Sequence, residues 1–525
     1  MVPGHDAHER RVYLEDQFAI ADQDGNGVVD FMEFVAFYTQ ALHDSRKSDL
    51  VHERRRKTQE QRARRRERAL KYVQADALKT ALAAGTLQLL SAQWLLARAG
   101  YASTVVERRG ITKTKWSLRE SLQPLPPFQV LKEESPEAYF GAEAFESNLA
   151  SFDEMSVANG AAAAGLRAAP VILTMFVPES EEHADPEGTV LARVAKNLAR
   201  QLHTYQSWGF EDMGVWIGWS CVPQTTPGGT YTRTPEQEQL YLHVLQELPI
   251  WISHKLTTIY QIHDQQVTPP PLEHGWLFFA DALCYLFKEA SPTKPFKVKF
   301  DQLMPFWSSI VDLGHSDVLL DTEGINPQAG APRRKPPLSA PRFIEQFLGK
   351  HFAPHEEKVR QNLEIFYRFA IEDGFNSLER LSYGKLSWSD GDVSELASCF
   401  MEVPMPQVLE LDLSWNDMRT GKGLEMLGTA LACGSLSSLQ KLNLINCTAI
   451  KTLPEAIGEL LELQVILLDG CVQLRTLPKS MTKLASLRLL SLVNCHLLFD
   501  EELNHMPSSC KIERKPAGSP RATPR

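Results

Sequence analysis

Along the last third of the chain, apolar residues return in one fixed pattern at a 24-residue period. Leu439-x-x-Leu442-x-Leu444-x-x-Cys447-x-x-Ile450-x-x-Leu453-Pro454 is matched by Leu463, Ile466, Leu468, Cys471, Leu474, Leu477 and Pro478. Leu487, Leu490, Leu492, Cys495 and Leu498 make a third copy. A longer, earlier copy carries Leu411, Leu413 and Asn416 with a helical insert, GLEMLGTALACG, and Leu386 marks a degenerate first one. Such units are unstable alone and bury a continuous core only by stacking. Upstream, PVILTMFV (170–177) and GVWIGWSCV (214–222) are unbroken apolar runs, as expected of parallel strands covered on both faces. The helical pattern VLARVAKNLARQLHTY separates them, and EQEQLYLHVLQELPIWISHKL predicts a further helix. A third apolar stretch, TALAAGTLQLLSAQWLLA, is interrupted by Thr80, Thr86, Gln88, Ser91 and Gln93. At 18 residues it sits at the short limit for a membrane span, and it predicts one packed helix.

These patterns predict a multidomain α/β chain. Its parts are helix–acidic loop–helix at 7–43, a basic helix at 46–77, a helical or irregular connector at 78–165 and a parallel α/β domain at 166–325. A Pro-rich linker follows at 326–341, then a helical cap at 342–376, repeats at 377–508 and a disordered tail at 511–525. The Leu-Pro element of the repeats resembles plant-type leucine-rich repeats, which implies a solenoid that binds a protein partner. The recurring cysteines have a competing reading as metal ligands. Stacking at one register, with Asn416 standing where other copies carry Cys, favours instead an interchangeable hydrogen-bonding role on turn backbone.

Composition is that of ordinary globular protein, with a formal net charge of −10 that excludes bulk attraction to nucleic acid. Eight cysteines with no CxxC pair do not make a disulfide scaffold. The N-terminus, MVPGHDAHERR, lacks the apolar core of a signal peptide. A reducing, cytoplasmic setting is expected, with the nucleus as the alternative.

The average charge conceals a local asymmetry. Residues 46–71 carry twelve Lys/Arg against four Asp/Glu, in a run without proline or glycine. Glu53–Lys57, Glu60–Arg64 and Glu67–Lys71 are spaced to support a helix. This segment is either a solvated helical spacer or a patch for an acidic protein, anionic lipid, RNA or nuclear import. The lack of aromatics before Tyr72 weakens the RNA reading.

The twelve residues from Asp22 to Glu33 match an EF-hand loop at every demanding position. Asp22, Asp24 and Asn26 supply side-chain oxygens, Val28 a backbone carbonyl, Asp30 a direct or water-bridged ligand, and Glu33 a bidentate carboxylate. Gly27 permits the sharp turn. Seven hard oxygens suit Ca2+ better than octahedral Mg2+. EF-hands work in pairs and no second loop is found. The apolar faces around Phe18 and Phe34 therefore call for a second copy, another protein or an upstream hand.

In the α/β domain, Trp216-Ile217-Gly218 followed by Cys221-Val-Pro-Gln224 resembles a segment of heterokaryon-incompatibility (HET-like) domains, relatives of the TIR-like signalling fold. The combination is similar to that of multidomain proteins of unicellular algae. The resemblance implies an NAD-cleaving carboxylate near Trp276, but Ala280 stands where that family carries glutamate. Asp281 is one residue away, rotated by about 100° on a helix. The expectation is a non-catalytic module in a calcium-binding interaction protein, the alternatives being a calcium-regulated nucleotide-cleaving enzyme and nucleic-acid or anionic-lipid binding through the basic helix. Cys221, with His203, His254 and His263 nearby in sequence, reads as a core residue rather than a nucleophile.

Overall fold

The computed structural model describes Arg64, Glu67 and residues 70–514, except for 109–110, 159–168, 289–309, 314–333, 353–356, 376–377 and isolated single positions. The whole calcium loop and residues 46–63 of the basic segment lie outside the described residues. The basic helix does not run unbroken to 77. The chain turns at 71–73, where the Val73 and Gln74 amides both donate to Leu70 O, and a new helix, Ala75–Ala83, begins.

The expected single helix over 80–97 is also broken. Gly85 takes φ +73, a conformation that ends the helix at little cost only without a β-carbon. The chain then forms strand β1 (Leu90–Ser91) and the helix Ala92–Arg98, whose first turn is capped by Ser91. Strands β2 (Tyr101–Arg108) and β3 (Ile111–Leu118) make a separate antiparallel hairpin. The connector segment thus adds an edge strand to the sheet that follows.

That sheet contains β4 (Val171–Met175), β5 (Gly214–Trp216), β6 (Thr258–Gln261) and β7 (Ile310–Asp312), in the order β1-β5-β4-β6-β7. β1 runs antiparallel to β5 and the other pairs are parallel. Every residue of β4, β5 and β6 is buried, which explains their unbroken apolar reading. The second run, 214–222, is a strand for only three residues. Gly218–Cys221 is a helical turn, held because Trp219 Nε1 and Ser220 Oγ donate to Leu125 O and Pro126 O at 3.1 and 2.7 Å. These are tertiary bonds that no periodicity announces.

The second sheet has six parallel strands in chain order: β8 (Arg380–Ser382), β9 (Glu410–Asp412), β10 (Lys441–Asn443), β11 (Val465–Leu467), β12 (Leu489–Ser491) and β13 (Lys511–Glu513). Each of the first five buries its central side chain: Leu381, Leu411, Leu442, Ile466 and Leu490. Helices Asp390–Glu402 and Lys422–Ala432 back the early units, and 3-10 turns such as Glu455–Glu459 back the later ones. The tail assigned to disorder from 511 begins instead as β13, paired to β12 through Leu490↔Ile512; residues 515–525 lie outside the described residues. The earliest unit is built on Leu381, and Leu386 occupies the place that Asn416 holds in the next. Helices Ala340–Phe347 and Glu357–Phe375 pack through Phe343 stacked on Tyr367 at 3.7 Å, with Phe343 also against Phe278 of the first sheet's helix Gly275–Phe287.

Candidate functional site

Among the strands of the first sheet, β4 leads to β5 on one side and the chain then crosses to β6 on the other. In doubly wound sheets, ligands bind outside the carboxyl ends of strands at such a reversal. At this edge Gln261 ends β6, and its Nε2 donates to Asp281 Oδ1 at 3.1 Å. Lys335 Nζ lies 2.8 Å from Asp281 Oδ2, and His263 Nε2 is 3.8 Å from Oδ1. Among the described residues, Gln261 Oε1 and Trp216 Nε1 are buried and make no hydrogen bond.

Sequence reasoning discounted Asp281. Both Ala280 and Asp281 are buried, but Asp281 is the one that reaches the sheet. The helix Gly275–Phe287 is apolar on nearly every side and packed all round, so its rotation gave no sign of which residue faces the strands. A lone carboxylate in that apolar helix was the available signal.

Cys221 does not gather the nearby histidines. Its Sγ accepts from the Ile217 amide at 3.3 Å, and burial pushes the thiol up to about 12, which keeps it protonated and inert. His254 is committed to Gln74 O and the Leu256 amide, and His263 belongs to the Asp281 cluster. The side chain of His203 lies outside the described residues.

The second sheet presents an open face in two rows. Arg380, Glu410, Lys441, Val465, Leu489 and Lys511 stand side by side in one. Ser382, Asp412, Asn443, Leu467, Ser491 and Glu513 form the other. Glu410 bridges Arg380 and Lys441, each at 2.7 Å, while Val465, Leu467 and Leu489 leave a half-exposed apolar centre before the Lys511–Glu513 pair. Just past each strand, one residue adopts a left-handed conformation at the same place: Lys385, Trp415, Asn446, Gly470 and Asn494. This bend turns the next residue inward. There Cys447, Cys471 and Cys495 donate Sγ–H to Leu413 O, Leu444 O and Leu468 O at 3.2, 3.2 and 3.1 Å. Burial pushes the Cys447 and Cys495 thiols up to about 11, so they are donors rather than thiolate ligands.

Among the described residues, no group of three or more His, Cys, Asp or Glu is placed to hold a metal ion. The six predicted calcium ligands, Asp22, Asp24, Asn26, Val28, Asp30 and Glu33, lie outside those residues, and their all-oxygen donor set fits a hard cation. No helix among the described residues is long and apolar enough to cross a membrane.

No protein-family model and no curated protein matches the chain. Among solved structures, the leucine-rich repeat domain of the type III effector XopL is similar at 22% identity over 21% of this chain, with a TM-score of 0.16. The match spans 44% of that domain, a superposition too loose to carry a functional conclusion.

Proposed function

We propose that this chain is a calcium-binding interaction protein that docks a protein partner on the open face of its leucine-rich-repeat sheet. The observation that carries the docking half is the apolar centre of Val465, Leu467 and Leu489 set between ion-paired ends. An apolar core with a charged rim is the usual anatomy of a protein interface. Leu467→Asp puts a charge at that centre and is expected to weaken partner capture by roughly 100-fold, as for a central contact. Leu461→Asp, at a residue 57% exposed outside the strand rows, is expected to leave capture unchanged. Pull-down with the full chain, followed by titration of the recovered partner, reads the difference. Equal loss in both variants would remove the face from the proposal.

Calcium binding rests on the donor set. Glu33→Gln replaces a bidentate carboxylate with a neutral amide and is expected to weaken calcium binding by at least about tenfold, whereas Gln23→Ala, at a non-ligand position, leaves it unchanged. Isothermal calorimetry on the full chain checks both, with one calcium per chain expected. The same pull-down with calcium and with chelator reports whether the two halves are coupled.

A further inference from the structure

The segment Arg334–Ala340 runs between the helix Gly275–Phe287 and the first turns of the repeat stack, and it is bonded on both sides. Arg334 is buried. Its Nη1 donates to Ser382 O at 2.9 Å, and its Nη2 approaches Leu286 O at 3.4 Å at the end of the helix. The guanidinium lies 4.5 Å from the centre of the Tyr383 ring, and Tyr383 stacks on Trp388 at 5.0 Å. Trp388 Nε1 donates back to Arg334 O at 2.8 Å. The next residue points to the other domain, where Lys335 Nζ meets Asp281 at 2.8 Å. Further along, Cys399 Sγ donates to Pro337 O, Tyr367 Oη to Leu338 O, and the Ala340 amide to Glu402 Oε2.

We infer that Arg334 and Lys335 form a latch between the two sheets: Arg334, seated on the first repeat unit, holds Lys335 over Asp281 and so closes the carboxyl edge of the first sheet. The two residues share one stretch of backbone, and the parts of the latch differ in depth. Asp281 and Arg334 are buried, whereas the Lys335 side chain is 53% exposed and is the part free to leave. Arginine suits the seat because a planar fork both stacks on Tyr383 and bonds a carbonyl, which a lysine ammonium does not do together. A buried carboxylate that loses its cation must recruit water or a proton, so unseating Arg334 opens Asp281 to solvent. The state of the first repeat unit is thereby transmitted to Asp281, the carboxylate bonded to Gln261 at the end of β6.

Carbodiimide-activated coupling of a small amine to the full chain, quantified at Asp281 by peptide mass spectrometry, tests the latch. Asp281 is expected to be protected in the native protein. Labelling should rise roughly tenfold in Lys335→Met, which removes the cover, and by a similar factor in Arg334→Met, which leaves Lys335 in place but unseats its backbone. If circular dichroism shows Arg334→Met unfolded, Arg334→Lys and Tyr383→Leu take its place, with the same increase expected. Protection retained in the folded Arg334 or Tyr383 variants, while Lys335→Met is labelled, would show that Lys335 holds Asp281 on its own. Protection retained in Lys335→Met would show that it covers nothing. Either result overturns the latch.

Discussion

Lowering the pH from 7 to 5 is expected to cost the fold about 2 kcal/mol through one residue, His254. Its ring is buried at the end of the helix Pro235–Ser253 with both nitrogens committed. Nε2 stands 3.0 Å from Gln74 O, which fixes it as the donor, and Nδ1 accepts from the Leu256 amide at 3.1 Å. A second proton would displace the latter bond in a dry site. Beside it, Lys288 Nζ reaches His254 O, Thr257 O and Thr257 Oγ1 at 2.6, 2.7 and 2.9 Å. Burial first, and then the Lys288 charge, hold His254 down to about 3, against an ordinary value of 6.5. In the unfolded chain the ring takes its proton below 6.5, while the folded one stays neutral to about 3. The stabilisation is therefore complete above that upper value and is lost at up to ~1.4 kcal/mol per pH unit as the pH falls. Lys288 adds a second window of the same sign. Burial lowers it from 10.5 to about 7, so its contribution grows as the pH rises between those values. Urea unfolding at pH 5, 6, 7 and 8 measures the slope. His254→Gln keeps a donor toward Gln74 O but cannot titrate, and its profile should be flatter by the stated slope below pH 6.5. Parallel profiles for the two proteins would assign the acid sensitivity elsewhere.

Neither half of that cluster had a signature in the sequence. His254 and Gln74 are separated by most of the first sheet, and a buried lysine is compositionally identical to an exposed one. What the pattern of residues did carry depended on repetition or on burial on both faces. β4 was readable because all five of its residues are inside, and the stack because each unit buries the same ladder of Leu and Cys. β1 was hidden because a two-residue edge strand has no period of its own and lies between helices of similar composition. β13 was hidden because Lys511 and Glu513 look like tail; pairing with β12 gives Ile512 a place in the stack that hydropathy could not supply. At the carboxyl edge of the first sheet, Gln261 and Asp281 come from different elements and meet only through the topology.

Asn416→Ala is expected to destabilise the repeat stack by about 3 kcal/mol, well beyond the loss from any one of the stacked cysteines. The repeat register makes Asn416 the counterpart of Cys447, Cys471 and Cys495, and the sequence treats the two residue types as interchangeable at that position. The bonding is unequal. Each cysteine satisfies one carbonyl of the preceding unit with a weak S–H donor. Asn416 Nδ2 donates to both Tyr383 O and Leu413 O, at 2.8 and 2.9 Å, and its Oδ1 accepts from the Trp388 amide at 2.9 Å. It is buried, so alanine removes a bond from three backbone groups in a site closed to water, although Leu413 O keeps the Cys447 thiol as a donor. Two of them, Tyr383 O and the Trp388 amide, bracket the bend that carries Leu386, where the first unit has an apolar side chain in place of a polar one. Asn416→Cys restores one donor and should recover part of the loss, while Cys471→Ala should cost only about 1–2 kcal/mol from one bond and a small void. Denaturant unfolding of the three variants gives the order directly. Asn416→Ala and Cys471→Ala equal within error would mean that the extra bonds of Asn416 contribute nothing, and that the register is held by apolar packing alone.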